Sequence, residues 1–139
     1  MQNFNIRLTT INDYPELVTW WKWHRWSSPP TIELLDNLKF GVMISKDGKN
    51  ICAGFLYFTN AKAFGLMEYI ISSPQIKESD IRKQALKLLI ASLVDIANKK
   101  GMHTIITFVK HQNLINTLSD CGFVKSADNY SSMVFKYNS

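Results

Sequence analysis

The stretch covering residues 80–100 constrains the fold most. Ile81, Ala85, Leu88, Leu89, Ser92 and Ile96 recur on one helical face, and Leu86, Ile90, Leu93 and Ala97 widen it. An apolar face this broad needs a wide, flat partner, so the helix is expected to pack on a sheet. Ser79 or Asp80 is its expected N-cap, and Lys99, Lys100 and Gly101 suit its C-terminus. Strand-like stretches flank it at residues 63–72 and 104–109. A strand–helix–strand succession makes its two strands parallel neighbours joined by a right-handed crossover.

The remaining elements follow from local signals. Residues 6–9 alternate and read as a first strand. Asp13 is the expected cap of a first helix, with Pro15 in its first turn and Glu16 in capping-box position. Leu17, Trp20, Trp21 and His24 share one face of it, and Ser27-Ser28-Pro29-Pro30 ends it. Thr31 is expected to open a short second helix over residues 31–38. Strands at 40–45 and 50–59 flank Lys46-Asp47-Gly48-Lys49, a hairpin turn because Gly48 tolerates positive φ. A short helix over 113–120 ends at Gly122, and strands at 123–126 and 131–137 are expected to close the chain. The predicted order is β-α-α-β-β-β-α-β-α-β-β in a single domain over residues 1–139. Its class is α/β in the wide sense, an α+β mixed sheet with helices on both faces.

Composition narrows the function. The chain has 139 residues, 46% of them hydrophobic and 19% charged, enough to bury a core. No apolar run approaches the roughly 20 residues that span a bilayer, and the N-terminus lacks a basic segment followed by an apolar one, so no membrane partner and a cytoplasmic location are expected. Cys52 and Cys121 lie in apolar surroundings and read as reduced core thiols. Three separated histidines, His24, His103 and His111, give no metal-ligand pattern, so no metal is expected. The net charge of +5 suits an anionic partner, but the basic residues are scattered, which argues against nucleic acid.

The whole chain resembles the GCN5-related N-acetyltransferase fold. Two stretches carry the resemblance: Trp20-Trp21-Lys22-Trp23-His24-Arg25-Trp26 followed by prolines, which is similar to small bacterial and phage members, and the succession of a strand at 105–109, Asn113 and Gly122-Phe123. It implies an acyl-coenzyme A-dependent N-acetyltransferase with acetyl-coenzyme A (acetyl-CoA) and an amine of a small molecule or protein as partners. It also implies a catalytic glutamate at Glu68, backbone N–H groups near Ile70, Ile71 and Ser72 for the acetyl carbonyl, and Asn113 at the pantetheine arm.

The sequence departs from the family pattern twice. Members carry an Arg/Gln-x-x-Gly-x-Gly/Ala loop whose N–H groups hold the cosubstrate pyrophosphate. The matching residues 74–85 contain no glycine, and Glu78 and Asp80 oppose an anion there, whereas Lys77, Arg82 and Lys83 offset them. Many members also use a tyrosine to protonate the departing thiolate. The matching position is near Ser119, a poor acid at neutral pH, and Tyr130 is the substitute considered.

From the residues alone, Glu68 sits mid-strand in Leu66-Met67-Glu68-Tyr69-Ile70 and is expected to share a face with Leu66 and Ile70. A carboxylate among apolar neighbours either acquires a raised pKa suited to a general base or is salt-bridged at the surface. His24 reads as a rim residue or a catalytic one. Trp23 and Trp26 read as core, as the rim of an acceptor pocket, or as a surface for a homodimer or protein partner. Asn113 needs no function beyond capping a helix. Two functions therefore stand: an acetyltransferase, and an inactive binding or structural module on the same fold, of phage type.

Overall fold

The computed structural model describes residues 3–61, 63–129 and 131–137. Among them, strands β1 (Phe4–Leu8), β2 (Gly41–Lys46), β3 (Lys49–Phe58), β4 (Phe64–Ser72) and β5 (Thr104–Ile106) form one sheet in the order β1-β2-β3-β4-β5. Helix α1 (Tyr14–Trp23) follows β1, α2 (Ser79–Lys99) links β4 to β5, and α3 (Gln112–Asp120) follows β5. The first four strands are antiparallel, and β4 and β5 are parallel, as the strand–helix–strand pattern requires. The β2–β3 hairpin turns through Asp47 (φ 52°) and Gly48 (φ 77°), both in the left-handed region that a two-residue hairpin favours.

Each face of the sheet carries its own core. On one side α2 buries Ala85, Leu89, Ile90, Leu93 and Ala97 against Val42, Ile44, Cys52, Leu56 and Met67. On the other side Leu17, Trp20 and Trp21 of α1 pack with Met43, Ala53, Phe55 and Ile71. A fully buried leucine or isoleucine contributes about 2 kcal/mol, as an upper estimate. The alternation of β3 (Cys52 to α2, Ala53 to α1, Phe55 to α1, Leu56 to α2) lets one strand serve both cores.

Several local expectations need correction. Asp13 does not cap α1 with its side chain. Its carboxylate instead accepts the Thr10 N–H at 2.9 Å and both ends of the Arg7 fork at 2.9 and 2.8 Å. A buried carboxylate takes the strongest donors within reach, and an arginine fork outcompetes a single helix N–H. The N-cap of α2 is Glu78, with extended backbone and no side-chain cap. Residues 31–38 start as a helical turn, with the Leu34 N–H on Thr31 Oγ1 at 3.1 Å, but Asp36, Asn37 and Leu38 all have positive φ and end it. The reversal lets Leu35 and Leu38, at 2% and 0% exposure, both enter the α1-side core.

At the C-terminal end, β5 is three residues long rather than the six of residues 104–109, and two of its three residues are exposed. No strand is assigned in 123–126 or in 131–137 among the described residues. Val124, Met133, Val134, Phe135 and Tyr137 are each at least 77% exposed. Their apolar and aromatic side chains suit a strand, but without a backbone partner among the described residues no ladder forms, and residue type alone does not make one.

Candidate active site

Strand β4 changes character at Tyr69. Glu68 pairs with Phe55 of β3, and Ile71 pairs with Ala53, so three steps on β4 match two on β3. Tyr69 is the extra residue, and its φ of 59° is unusual for an aromatic side chain. The bulge redistributes the side chains. Leu66 and Glu68 pair with Tyr57 and Phe55 and face the α1 side, whereas Ile70 packs into the α2-side core. The expectation that Glu68 and Ile70 share a face is therefore corrected, since one inserted residue reverses the alternation beyond it.

The same strand parts from its other neighbour. β4 and β5 pair only through Phe64–Thr104, Gly65–Ile105 and Leu66–Ile106. Beyond that, Glu68 Oε1 accepts the backbone N–H of Phe108 at 3.2 Å. The half-buried carboxyl is pushed up to about 7, because burial disfavours its charge more than the Phe108 N–H restores it. A carboxyl with that value holds its proton about half of the time at neutral pH, which suits a general base.

Aromatic side chains surround this point on the α1 side. Tyr57 and Tyr69 have ring centroids 6.2 Å apart, Tyr69 and Trp26 6.2 Å, and Trp26 and Trp21 6.1 Å. Burial, and then the Glu68 charge, push the Tyr69 hydroxyl upward. His24 Nε2 donates to the Ser72 carbonyl at 3.0 Å and meets the Trp23 ring edge-on at 5.0 Å. Trp23, His24 and Arg25 line an open depression at the end of α1.

The structure thus brings Glu68, Ile70, Ile71, Ser72, His24, Trp26 and Trp23 to one end of β4. Trp20 and Trp21 belong to the core, at 3% and 0% exposure, while Trp23 is 61% exposed. Asn113 is exposed in the first turn of α3, whose N-cap is His111. Tyr130 lies outside the described residues. The bulge at Tyr69, the Phe108 N–H and the Tyr57 ring escaped the sequence reading. No residue type marks a bulge at a tyrosine, and a backbone donor leaves no trace in sequence.

The loop before α2 is organised by its own cations. Lys77 Nζ donates to the Pro74 carbonyl at 3.2 Å, and Arg82 Nη1 donates to the Ile76 and Lys77 carbonyls at 2.9 and 3.1 Å. Lys83 is exposed one residue further on. These side chains cradle the loop where glycines would otherwise let a phosphate approach bare backbone. Beyond Leu66–Ile106 the two strands no longer pair, and Thr107 Oγ1, on the next residue along, is buried with no hydrogen-bond partner among the described residues.

By sequence alone, no family model and no curated relative matches the chain. Solved structures do. N-acetylglutamate synthase from Neisseria gonorrhoeae, in complex with coenzyme A and N-acetyl-glutamate, is 17% identical over 91% of this chain with a TM-score of 0.70. This chain spans 30% of the length of that enzyme. Glucosamine-6-phosphate N-acetyltransferase from Arabidopsis thaliana is 16% identical, covering 95% of this chain and 99% of its own, with a TM-score of 0.64. An acetyltransferase from Trypanosoma brucei is 14% identical, covering 95% and 100%, with a TM-score of 0.65. The mixed sheet with its crossover helix, the bulged β4 and its parting from β5 thus belong to a chain with the GCN5-related N-acetyltransferase fold.

Proposed function

We propose that this protein is an acyl-coenzyme A-dependent N-acetyltransferase with Glu68 as its general base. The observation that carries this reading is the Glu68 carboxyl, held by the Phe108 N–H at the mouth of the β4–β5 gap with its pKa raised to about 7. When bound, acetyl-CoA supplies an activated thioester in the gap. Glu68, directly or through one water, accepts the proton of an ammonium acceptor arriving from the α1 side, and the freed amine attacks without any serine or cysteine nucleophile. Backbone N–H groups of Ile70, Ile71 and Ser72 stabilise the developing oxyanion. Trp23, His24 and Trp26 border the acceptor, Lys77, Arg82 and Lys83 meet the phosphates, and Asn113 meets the arm. Tyr130 or water returns a proton to the thiolate. The likeness of fold to proteins solved with coenzyme A supports the cosubstrate. The acceptor is an amine of a small molecule or protein, and the location is cytoplasmic. No described helix is long and apolar enough to cross a membrane.

A specific observation favours a second reading, an inactive module of phage type on the same fold. The loop before α2 has no glycine, and Lys77 and Arg82 already donate to its own carbonyls. Trp23, 61% exposed, would then contact a protein partner or a second copy. Thiol release from acetyl-CoA across a panel of primary amines separates the two. The enzyme reading expects amine-dependent release that Glu68→Gln abolishes; release from no amine favours the module.

A further inference from the structure

Helix α1 ends in a turn that glycine would make more easily. His24 is its C-cap, the Arg25 N–H donates to the Lys22 carbonyl, and the Trp26 N–H donates to the Trp21 carbonyl, both at 3.0 Å. In this paired closure the residue after the cap takes left-handed backbone and is usually glycine. Here it is Arg25, at φ 65°. A long side chain costs stability at that position where glycine would not, so its use lies outside the turn.

The other two arginines of the chain are committed. Arg7 forks onto Asp13, and Arg82 donates to the Ile76 and Lys77 carbonyls. The Arg25 guanidinium has no hydrogen bond or ion pair among the described residues. It lines the open depression at the end of α1 with Trp23 and His24, and no carboxylate lines it with them. Trp23 is 61% exposed, so the depression offers an aromatic wall beside an uncompensated guanidinium. The fork of a guanidinium matches an oxyanion, whether carboxylate or phosphate.

The segment is held against β4 on both sides of Arg25. His24 Nε2 donates to the Ser72 carbonyl at 3.0 Å, and the Trp26 ring lies 6.2 Å from that of Tyr69, the neighbour of Glu68. The strand from Glu68 to Ser72 is about 13 Å long when extended. An ammonium at Glu68 and an anion at Arg25 would therefore stand several bonds apart in one molecule.

We infer that Arg25 selects the acceptor: the depression binds a carboxylate or phosphate that a small-molecule acceptor carries at the end remote from its reacting amine. The inference rests on the acetyltransferase reading above and narrows its acceptor to amines that also bear an oxyanion.

The test is the initial rate of acetyl transfer from acetyl-CoA to matched pairs of amines, with wild type, Arg25→Gln and Arg25→Lys. The pairs are β-alanine, γ-aminobutyrate and ε-aminocaproate, each against the amino alcohol of the same length, and phosphoethanolamine against ethanolamine. Wild type is expected to favour the acidic member of at least one pair about fivefold in kcat/KM, through KM. Arg25→Gln should bring that ratio to within about twofold of unity, and Arg25→Lys should keep part of it, because the charge survives but the fork does not. Preference within the carboxylate pairs or within the phosphate pair identifies the oxyanion. Ratios near unity in every pair, or a preference that Arg25→Gln leaves intact, overturn the inference, while acetylation itself keeps the enzyme reading. If no amine is acetylated, the enzyme reading falls and the site is decided separately, by the Trp23 indole N–H resonance as the same acids are titrated. A shift in wild type that Arg25→Gln loses supports the anion site; no shift, or the same shift in both, overturns it.

Discussion

The Phe108 backbone N–H meets Glu68 Oε1 at 3.2 Å across the opening where β4 and β5 cease to pair. This contact fixes the carboxyl at the edge of the gap and tempers the rise in its pKa that burial imposes. It also predicts a pH profile. The rate of acetyl transfer should rise with pH and level off above about 7, as Glu68 loses its proton. Glu68→Gln should lower kcat about 100-fold or more and remove that inflection. Initial rates between pH 5.5 and 8.5 check both.

The same carboxyl links stability to pH in the opposite sense. Its folded pKa lies above the unfolded value, so its contribution is fully present below the unfolded pKa and is lost as pH rises through about 7. Discounted for its partial exposure, the loss is about 1 kcal/mol. Denaturant unfolding should show wild type losing more stability from pH 5 to pH 8 than Glu68→Gln.

Tyr69 at φ 59° makes a second prediction. Replacement by glycine or alanine removes the same ring contacts with Tyr57 and Trp26. In an ordinary strand alanine is the better residue. Here Tyr69→Gly should be more stable than Tyr69→Ala by about 1 kcal/mol, because only glycine takes the left-handed backbone without strain. Urea midpoints of the pair decide it.

Gly41 opens β2 against a crowded wall. A Cβ there would collide with Thr9 Oγ1 and the Phe55 ring, and Thr9 Oγ1 is committed to the Leu38 carbonyl at 2.7 Å. Gly41→Ala should cost about 2–3 kcal/mol by overpacking. A Tm within a degree of wild type would refute the clash.

The Arg7–Asp13 pair ties β1 to the entry of α1, with Asp13 buried and Arg7 partly exposed. The Arg7 hydrogen bond holds the Asp13 carboxyl below its usual range. Its contribution is present above the unfolded pKa and is lost as pH falls through the folded value. Asp13→Ala should cost about 2 kcal/mol at neutral pH, where Arg7 and the Thr10 N–H lose their acceptor, and the difference should shrink in acid. Unfolding at pH 7 and at pH 3 measures it.

How far the fold was legible depends on where the signal lay. The α2 face and its two flanking strands could be read because helix packing leaves a periodic trace, and the Asp47-Gly48 turn because positive φ selects residue types. Glu68 stood out as a charge inside an apolar run. The Tyr69 bulge could not be read, since tertiary packing rather than residue preference forces it. The run of positive φ at Asp36, Asn37 and Leu38 is similar: burial of Leu35 and Leu38 outweighs local propensity. Residues 131–137 were expected to form a strand, but a ladder needs a partner edge that sequence does not specify. Thr107 was invisible because an unpaired hydroxyl is a property of its surroundings.

Titration of the protein with acetyl-CoA at low salt tests the central claim most directly. The account predicts micromolar binding that weakens as salt rises and when Lys77, Arg82 and Lys83 are replaced by alanine. Absence of heat up to millimolar acetyl-CoA would contradict it.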